Sequence, residues 1–539
     1  MSTLREMSAV LPLSHAVLAI TAGAATRDAM RVANMLVIVY FIVVNSSYVL
    51  LIALAGLDIV HDRRRAGFSG ADETYASPFT LPISILVPAY NEQAGIVEAV
   101  RALLGLRYPN FEIVVIDDGS KDGTFAALRD AFDLVEVPYT VPQDVATRGV
   151  VLSVHLPRRA SGSLLVVRKE NSGRADSLNV GLNLARNPLI CMVDADSILD
   201  AGALLTVAKP FSDDPTRVVA TGGVIRIANE CTVVAGRVVD ARWPRGWLPR
   251  IQTMEYLRAF LLGRAGWSRI SGLVIISGAF GLFRRDLVVE VGGLDPDSIG
   301  EDAELVVSMH ELLRHRRADY RICFVPEPIS WTEAPSTLRV LARQRRRWHR
   351  GLAELLYKHR RMMCNPRYGR IGLLVLPYYL VFELLAPVVE LSGVIVVPVA
   401  LAIGAVNLAF LAEFTLATYG FAFVVSLIAI AADEYAHHRY PRWRDLGSAV
   451  LGAITENLGY RQLIAWWCLQ GLGQALRGGR HEWGTMTRTG FATAAGTEAT
   501  GGAAASQELE TAAPRPAVEA PTAPVPQNAQ QPLQRSRDQ

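Results

Sequence analysis

Three short charged signals follow one another along this 539-residue chain, and each has the composition of a chemical site. Asp194-Ala195-Asp196 comes directly after the apolar run Leu189-Ile190-Cys191-Met192-Val193. Two carboxylates one residue apart can share a hard divalent cation, one directly and the other through water. Mg²⁺ and Mn²⁺ prefer such oxygen ligands and bridge diphosphate oxygens. The same residues suit an acidic turn that caps the next helix with help from Ser197, but the buried strand in front favours the metal. Glu301-Asp302 follows Gly292-Gly293-Leu294-Asp295 and opens a helical run. An acidic pair there suits the helix dipole. It also offers a general base, for which Asp302 is the candidate, with Glu301 in support. Gln344, Arg347 and Trp348 sit at i, i+3 and i+4, which is one face of a helix. Arg347 offers a cation to a diphosphate, and Trp348 offers a ring to stack beneath a sugar. The other arginines of this run, Arg343, Arg345, Arg346 and Arg350, read as a basic juxtamembrane face turned to anionic lipid heads, where Trp348 would instead be an interface anchor.

These signals need a frame to bring them together. Residues 83–88, 112–116, 164–167 and 189–193 are short apolar runs that read as buried strands, and the stretch from 92 to 106 has helical spacing. Strands alternating with helices predict a mostly parallel sheet, in which ligands sit at the carboxyl ends of strands. The polar signals fall at those ends. Pro88, Tyr90 and Glu92 supply a stackable ring and a carboxylate after the first strand. Asp117 and Asp118 follow the second; they suit the hydroxyls of a ribose or the N–H of a base, and Asp-Gly equally suits a tight turn. Lys169, Asn171, Gly173 and Arg174 follow the third, where a diphosphate would lie, and Asp176 and Asn179 begin the next helix. Asp194 and Asp196 end the fourth. One shared site is the economical reading.

Hydrophobic residues make up 51% of the chain, and they concentrate near 33–60 and 371–434, with a weaker stretch at 447–476. Residues 33–60 carry no charge until Asp58, long enough to span a bilayer. His61-Asp62-Arg63-Arg64-Arg65 follows at once, so the positive-inside rule places what comes next in the cytoplasm. A cleaved signal peptide fits poorly, because the run is too long and starts too late. The net charge of +3 is too small to suggest a nucleic-acid binder, and none is expected as a partner. The five cysteines lack CxxC spacing and read as isolated core thiols.

The expected organisation is an N-terminal segment over 1–32, interfacial in character, a transmembrane helix over 33–60 and a cytoplasmic catalytic domain over 80–335. Interfacial helices over 336–370 and transmembrane helices over 371–434, two long or three short, come next. The basic stretch at 437–444 favours an even number of crossings there. Interfacial or transmembrane helices over 445–478, a loop over 479–490 and a disordered tail over 491–539 complete the chain.

The motif series Pro88-Ala89-Tyr90-Asn91-Glu92, Asp117-Asp118-Gly119-Ser120, Lys169 to Asn179, Asp194-Ala195-Asp196-Ser197, Ser277-Gly278-Ala279-Phe280, Gly300-Glu301-Asp302 and Gln344 to Trp348 resembles family 2 glycosyltransferases. More narrowly, it is similar to the processive membrane synthases of cellulose, chitin, hyaluronan and poly-N-acetylglucosamine. The resemblance covers roughly residues 80–350, and the membrane flanks extend it. It implies an α/β GT-A type fold, a Rossmann-like mixed sheet, embedded between transmembrane helices. It also implies an inverting transfer of a hexose or N-acetylhexosamine from a UDP-sugar to a growing β-linked polysaccharide, with Mg²⁺ or Mn²⁺. A single addition to a lipid acceptor is the alternative reading, and a non-catalytic scaffold is a more distant one.

By the resemblance, Tyr90, Glu92 and Asp117 contact the nucleotide base, with Asp118 as the second acidic position. Asp194, Ala195 and Asp196 form the metal and diphosphate motif, and Asp302 is the catalytic base. Gln344, Arg347 and Trp348 contact the diphosphate and acceptor sugar, and Ser277, Gly278 and Phe280 line the acceptor terminus. Gln252, Glu255 and Tyr256 resemble a motif on a helix in the membrane plane. Trp483, Thr485, Thr487 and Arg488 resemble a C-terminal gating loop. Expected partners are the donor, the glycan or lipid acceptor, membrane lipids and accessory export proteins, and the expected place is the inner (plasma) membrane. Ser172 and Arg174 stand where many relatives have Gly and Lys. A stretch near 136–163 lengthens the connection to the third strand. With no cyclic-dinucleotide domain visible, regulation of the bacterial cellulose synthase type is not expected from this chain.

Overall fold

The structure, a computed structural model, describes residues 35–57, 80–159, 163–402, 407–437 and 443–478, with the isolated positions 32, 75 and 77. The readings made for 1–32, but for position 32 itself, for the loop over 479–490 with Trp483, Thr485, Thr487 and Arg488, and for the tail over 491–539 lie outside the described residues. The chain divides into two units, 1–493 and 494–539, and all the described residues belong to the first.

Ten strands form one mixed sheet in the order β3-β4-β5-β2-β1-β6-β11-β8-β12-β7. Its centre is parallel: β1 (Ile83–Ala89) pairs with β2 (Phe111–Asp117) and β6 (Leu189–Val193), and β2 pairs with β5 (Leu164–Lys169). These are the continuous apolar runs of the sequence, and they are buried because helices cover both faces. The carboxyl ends of β5, β2, β1 and β6 therefore lie side by side. Beyond β6, β11 (Phe280–Arg284) runs antiparallel between β6 and β8 (Val218–Ile227). β12 (Arg321–Thr332) pairs parallel with β8, and the short β7 (Ile198–Leu199) closes that edge. β9 (Thr232–Val234) and β10 (Arg237–Asp240) make a separate ribbon.

The lengthened stretch near 136–163 is largely sheet. β3 (Leu134–Val137) and β4 (Val151–Pro157) pair antiparallel and extend the sheet past β5. An edge pair buries little, so its sequence lacks the apolar run that announces a central strand.

The first helix, α1 (Met35–Leu57), precedes the sheet. In the sheet domain α2 (Ile96–Leu104), α3 (Thr124–Phe132), α4 (Arg174–Leu184) and α5 (Ala203–Asp213) connect strands. Every residue of α4 after Arg174 is buried, which its polar members Asp176, Ser177, Asn179 and Asn183 tolerate through hydrogen bonds. α6 (Trp247–Tyr256), α7 (Glu301–His315) and α8 (Leu338–Lys358) follow, the last capped by Thr337. Then come α9 (Ile371–Ala402), α10 (Leu408–His437), α11 (Trp443–Thr455) and α12 (Arg461–Arg477).

Among the described residues three helices are long and apolar enough to cross a membrane: α1, α9 and the Leu411–Tyr435 part of α10. The region over 371–434 thus holds two such helices. Their outward surfaces are apolar, with Ile42, Ile395 and Leu416 more than half exposed. Buried ion pairs join these helices to the rest. Arg226 of β8 pairs with Asp433 of α10, and both side chains are almost completely enclosed. Arg258, just beyond α6, donates to Glu456 Oε2 (2.7 Å) and to Ser426 of α10 (2.8 Å).

Candidate active site

Arg174 is the residue on which the site converges. Gly173, at φ +97°, turns the chain out of the loop after β5 and starts α4 with this arginine. Its Nε donates to Asp194 Oδ1 at the end of β6 (2.9 Å), its Nη1 to Glu301 Oε1 at the start of α7 (2.8 Å), and its Nη2 to the Gly278 carbonyl before β11 (2.6 Å). Three motifs more than a hundred residues apart at their extremes are thereby fixed around one planar fork. The two carboxylates hold the guanidinium strongly protonated even though burial opposes its charge.

Gly278 is held from both sides, because its N–H donates to Asp302 Oδ2 (2.9 Å). Asp302 Oδ1 accepts from the Ala303 N–H (2.8 Å). Burial pushes the Glu301 carboxyl up; Arg174 opposes that shift, and the Asp302 charge adds to it. The two acids of the pair therefore differ in kind: Glu301 is enclosed and bonded to Arg174, whereas Asp302 is only partly buried.

α8 brings the third signal to the same place. Burial lowers the proton affinity of Arg347, while Glu301, Asp302 and Asp194, all within electrostatic reach, counter it. Trp348 is 43% exposed, and the Arg345 guanidinium lies 5.0 Å from its ring centre. Gln344 is buried, and its Oε1 has no hydrogen-bond partner. Three of the four arginines expected to face lipid do not: Arg345 pairs with Glu255, which also accepts from the Tyr460 hydroxyl, Arg346 donates to Gln470, and Arg350 pairs with Glu354. Arg343 is exposed.

At the other strand ends, the residues divide into open and enclosed. Tyr90 is 41% exposed, with Pro88 and Glu92 half-buried beside it. Asn171 is exposed and donates to the Asp118 carbonyl (2.7 Å). Asp117 is buried and accepts from the Ser120 N–H (3.1 Å). Asp118 and Lys169 turn inward. Lys169 has no exposed surface and its Nζ bonds Asp118 (2.5 Å), the Glu170 carbonyl (2.9 Å) and Ser172 Oγ. Asp118 also accepts from the N–H groups of Ser172 (3.0 Å) and Gly173 (2.9 Å). Asp176, likewise buried, accepts from Ser172 and from the N–H groups of Arg148 (2.7 Å) and Gly149 (3.0 Å). This network fixes the loop that aims Arg174, and it latches that loop to the segment between β3 and β4. Phe280 is completely buried, and Ser277 is half-buried.

Among the described residues no cluster of three or more acidic, histidine or cysteine groups could hold a metal ion. Two carboxylates suffice where diphosphate and water complete an octahedral shell. The Asp194 side chain is one-third exposed, and Asp196 is half-buried. This oxygen donor set fits a hard divalent cation.

Residues 81–351, half of the chain, match the model of the glycosyltransferase like family 2, and the chain belongs to that family. It is 32% identical over 278 residues to the poly-beta-1,6-N-acetyl-D-glucosamine synthase of Staphylococcus aureus (strain COL), covering 51% of this chain and 56% of that one. The enzyme of the same name from Staphylococcus epidermidis is 28% identical over 276 residues, with the same coverage. The chain thus spans about half the length of the curated relatives it matches. Among solved structures, a mannosyltransferase from Pyrobaculum calidifontis in complex with GDP-Man and Mn²⁺ is 21% identical with a TM-score of 0.44, covering 76% of this chain and 99% of that one. S. aureus TarS 1-349 in complex with UDP-GlcNAc is 15% identical with a TM-score of 0.36, covering 71% and 92%.

Proposed function

We propose that this protein is a membrane-bound inverting glycosyltransferase that moves N-acetylglucosamine from its UDP donor to the end of a growing β-linked polysaccharide. The observation that carries the reading is the convergence of Asp194, Glu301 and Gly278 on Arg174, with Asp302 on the opposite side of Gly278. The choice of sugar rests on the relatives that carry the poly-N-acetylglucosamine synthase name.

In this reading the uridine lies over the ends of β1 and β2, with Tyr90 stacked on the base and Glu92 and Asp117 as acceptors. Asp194 and Asp196 would hold the divalent cation, which when bound would supply positive charge against the departing diphosphate. Arg174 and Arg347 add cationic donors beside it. The acceptor sugar rests on Trp348, against Ser277 and Gly278. Asp302 takes the proton of the acceptor hydroxyl as its oxygen bonds the anomeric carbon, and the bond from that carbon to the diphosphate oxygen breaks on the opposite face. One base and one displacement give inversion, and no enzyme nucleophile is needed. α1, α9 and α10 anchor the enzyme as a multi-pass protein of the plasma membrane, with residues 80–335 as its cytoplasmic catalytic domain.

Membranes bearing the protein, given a panel of labelled UDP-sugars with Mg²⁺ or Mn²⁺, test this. The expected product is a long polymer from UDP-N-acetylglucosamine. One sugar per lipid, unchanged by excess donor, would replace the polymerase with a single-addition enzyme.

A further inference from the structure

After α8 ends at Lys358, four arginines, Arg360, Arg361, Arg367 and Arg370, occupy a turn that runs straight into Ile371, the first residue of α9. All four are exposed. Their polar contacts leave the charge in place. Arg360 donates to the Tyr357 carbonyl (2.9 Å), Arg370 to the Ile270 carbonyl (3.4 Å), and Arg367 Nη2 lies 3.4 Å from His315 Nε2. Among the described residues none of the four is paired with a carboxylate.

The backbone beneath them is fixed. Met362 and Tyr368 are buried in the same apolar cluster as Ile371, Val375 and Leu376 of α9. The Cys364 N–H donates to the Gly372 carbonyl (2.9 Å), and a Cβ on Gly372 would lie 2.4 Å from the Met362 carbonyl oxygen. Only glycine lets the turn close so tightly on the helix. The four guanidinium groups are thereby held at the level where the apolar helix begins. Beside them Tyr357 is 70% exposed, with the Arg360 guanidinium 4.4 Å from its ring centre, the amphipathic pairing that suits a membrane–water boundary.

We infer that this turn is a docking surface for acidic phospholipid headgroups, which supply the counter-charges that the described chain does not. The planar forks of arginine match phosphate oxygens, and a basic cluster on the cytoplasmic side of an apolar helix is drawn to an anionic leaflet. The inference rests on α9 crossing a membrane. Because the turn continues α8, the bound headgroups also seat the end of the helix that carries Gln344, Arg347 and Trp348.

The full chain, reconstituted in nanodiscs of equal phosphatidylcholine and phosphatidylglycerol and then extracted, tests the surface through the ratio of the two lipids that it retains. Wild type is expected to be enriched in phosphatidylglycerol, and the enrichment should fall as salt rises. Each Arg→Gln change should lower it about fivefold. The variant with Arg360, Arg361, Arg367 and Arg370 all changed to Gln should retain both lipids alike, and the four-lysine variant should stay enriched. A four-glutamine variant as enriched as wild type overturns the inference, as does a wild-type enrichment indifferent to salt. An inserted wild type with no preference overturns the inference and leaves the membrane reading standing, whereas a chain that does not enter the bilayer overturns both.

Discussion

Two sets of arginines lie close together on the chain and do opposite work. Arg345, Arg346 and Arg350 of α8 each meet a protein partner, as does Arg174 at the start of α4. Arg360, Arg361, Arg367 and Arg370, immediately after the same helix, are exposed; Arg360 and Arg370 donate to carbonyls, and Arg367 lies beside a ring nitrogen. The first set is fixed by short bonds in a low-dielectric setting, where geometry decides the energy. The second acts through diffuse charge that salt can screen. A run of arginines is therefore no guide to its own role. The side-chain acceptors within reach decide it.

That contrast can be broken or sharpened at several points. The largest expected effect is at the carboxylate that shares Gly278 with Arg174. Asp302→Asn should lower polymer formation about a thousandfold while UDP binding, followed by calorimetry, persists. Next, Arg174→Gln removes the common partner of Asp194, Glu301 and Gly278. A fall in kcat of about a hundredfold is expected, with partial recovery in Arg174→Lys, and a variant as active as wild type would remove Arg174 from the centre of the site. Glu255→Gln leaves Arg345 without its carboxylate and should cost roughly 2 kcal/mol of stability, read as a lower Tm in detergent.

Lys358, the last residue of α8, tests the contrast by pH. Its ammonium bonds Asp295 (2.7 Å) and Glu304 (2.6 Å). Burial opposes ionisation of Glu304, but His359, Lys358 and Ser308 overcome it and hold the carboxyl at about 2. A depressed carboxyl stabilises the fold above its ordinary value of 4.5, and that contribution is lost as pH falls towards about 2. Thermal melts should show this acid loss, and Glu304→Gln should flatten it. The smallest effect belongs to the second set: Arg360→Gln should move stability in detergent by less than about 0.5 kcal/mol, and a larger drop would mean that the arginine serves the fold.

The sequence made the strand ends legible, because a central parallel strand must be apolar throughout and its polar residues must wait for the end. It also put Gln344, Arg347 and Trp348 on one helix face, since helical spacing is local information, whereas the choice of Asp302 leaned on the resemblance. It did not reveal that Lys169 and Asp118 turn inward, because their partners, Ser172, Gly173 and each other, come from adjacent strand ends brought together only by the sheet. The central place of Arg174 was hidden for the same reason: its three partners lie on β6, before β11 and on α7. β3 and β4 escaped notice because an edge needs no continuous apolar run. Arg345, Arg346 and Arg350 looked lipid-facing because Glu255, Gln470 and Glu354 cannot be matched to them by composition.

The enclosed pair between Arg226 and Asp433 bears on modularity. The family match ends at residue 351, yet Arg226 on β8 depends on a carboxylate 207 positions further along, on a helix long and apolar enough to cross a membrane. A fragment trimmed to the family-matched domain would take the Asp433 carboxylate away from an enclosed guanidinium. Arg258 likewise depends on Glu456, beyond α10, and Arg346 on Gln470 of α12. The smallest piece of this chain able to fold as a self-sufficient unit is therefore larger than the piece that looks catalytic, and anyone cutting it for expression should cut after α12.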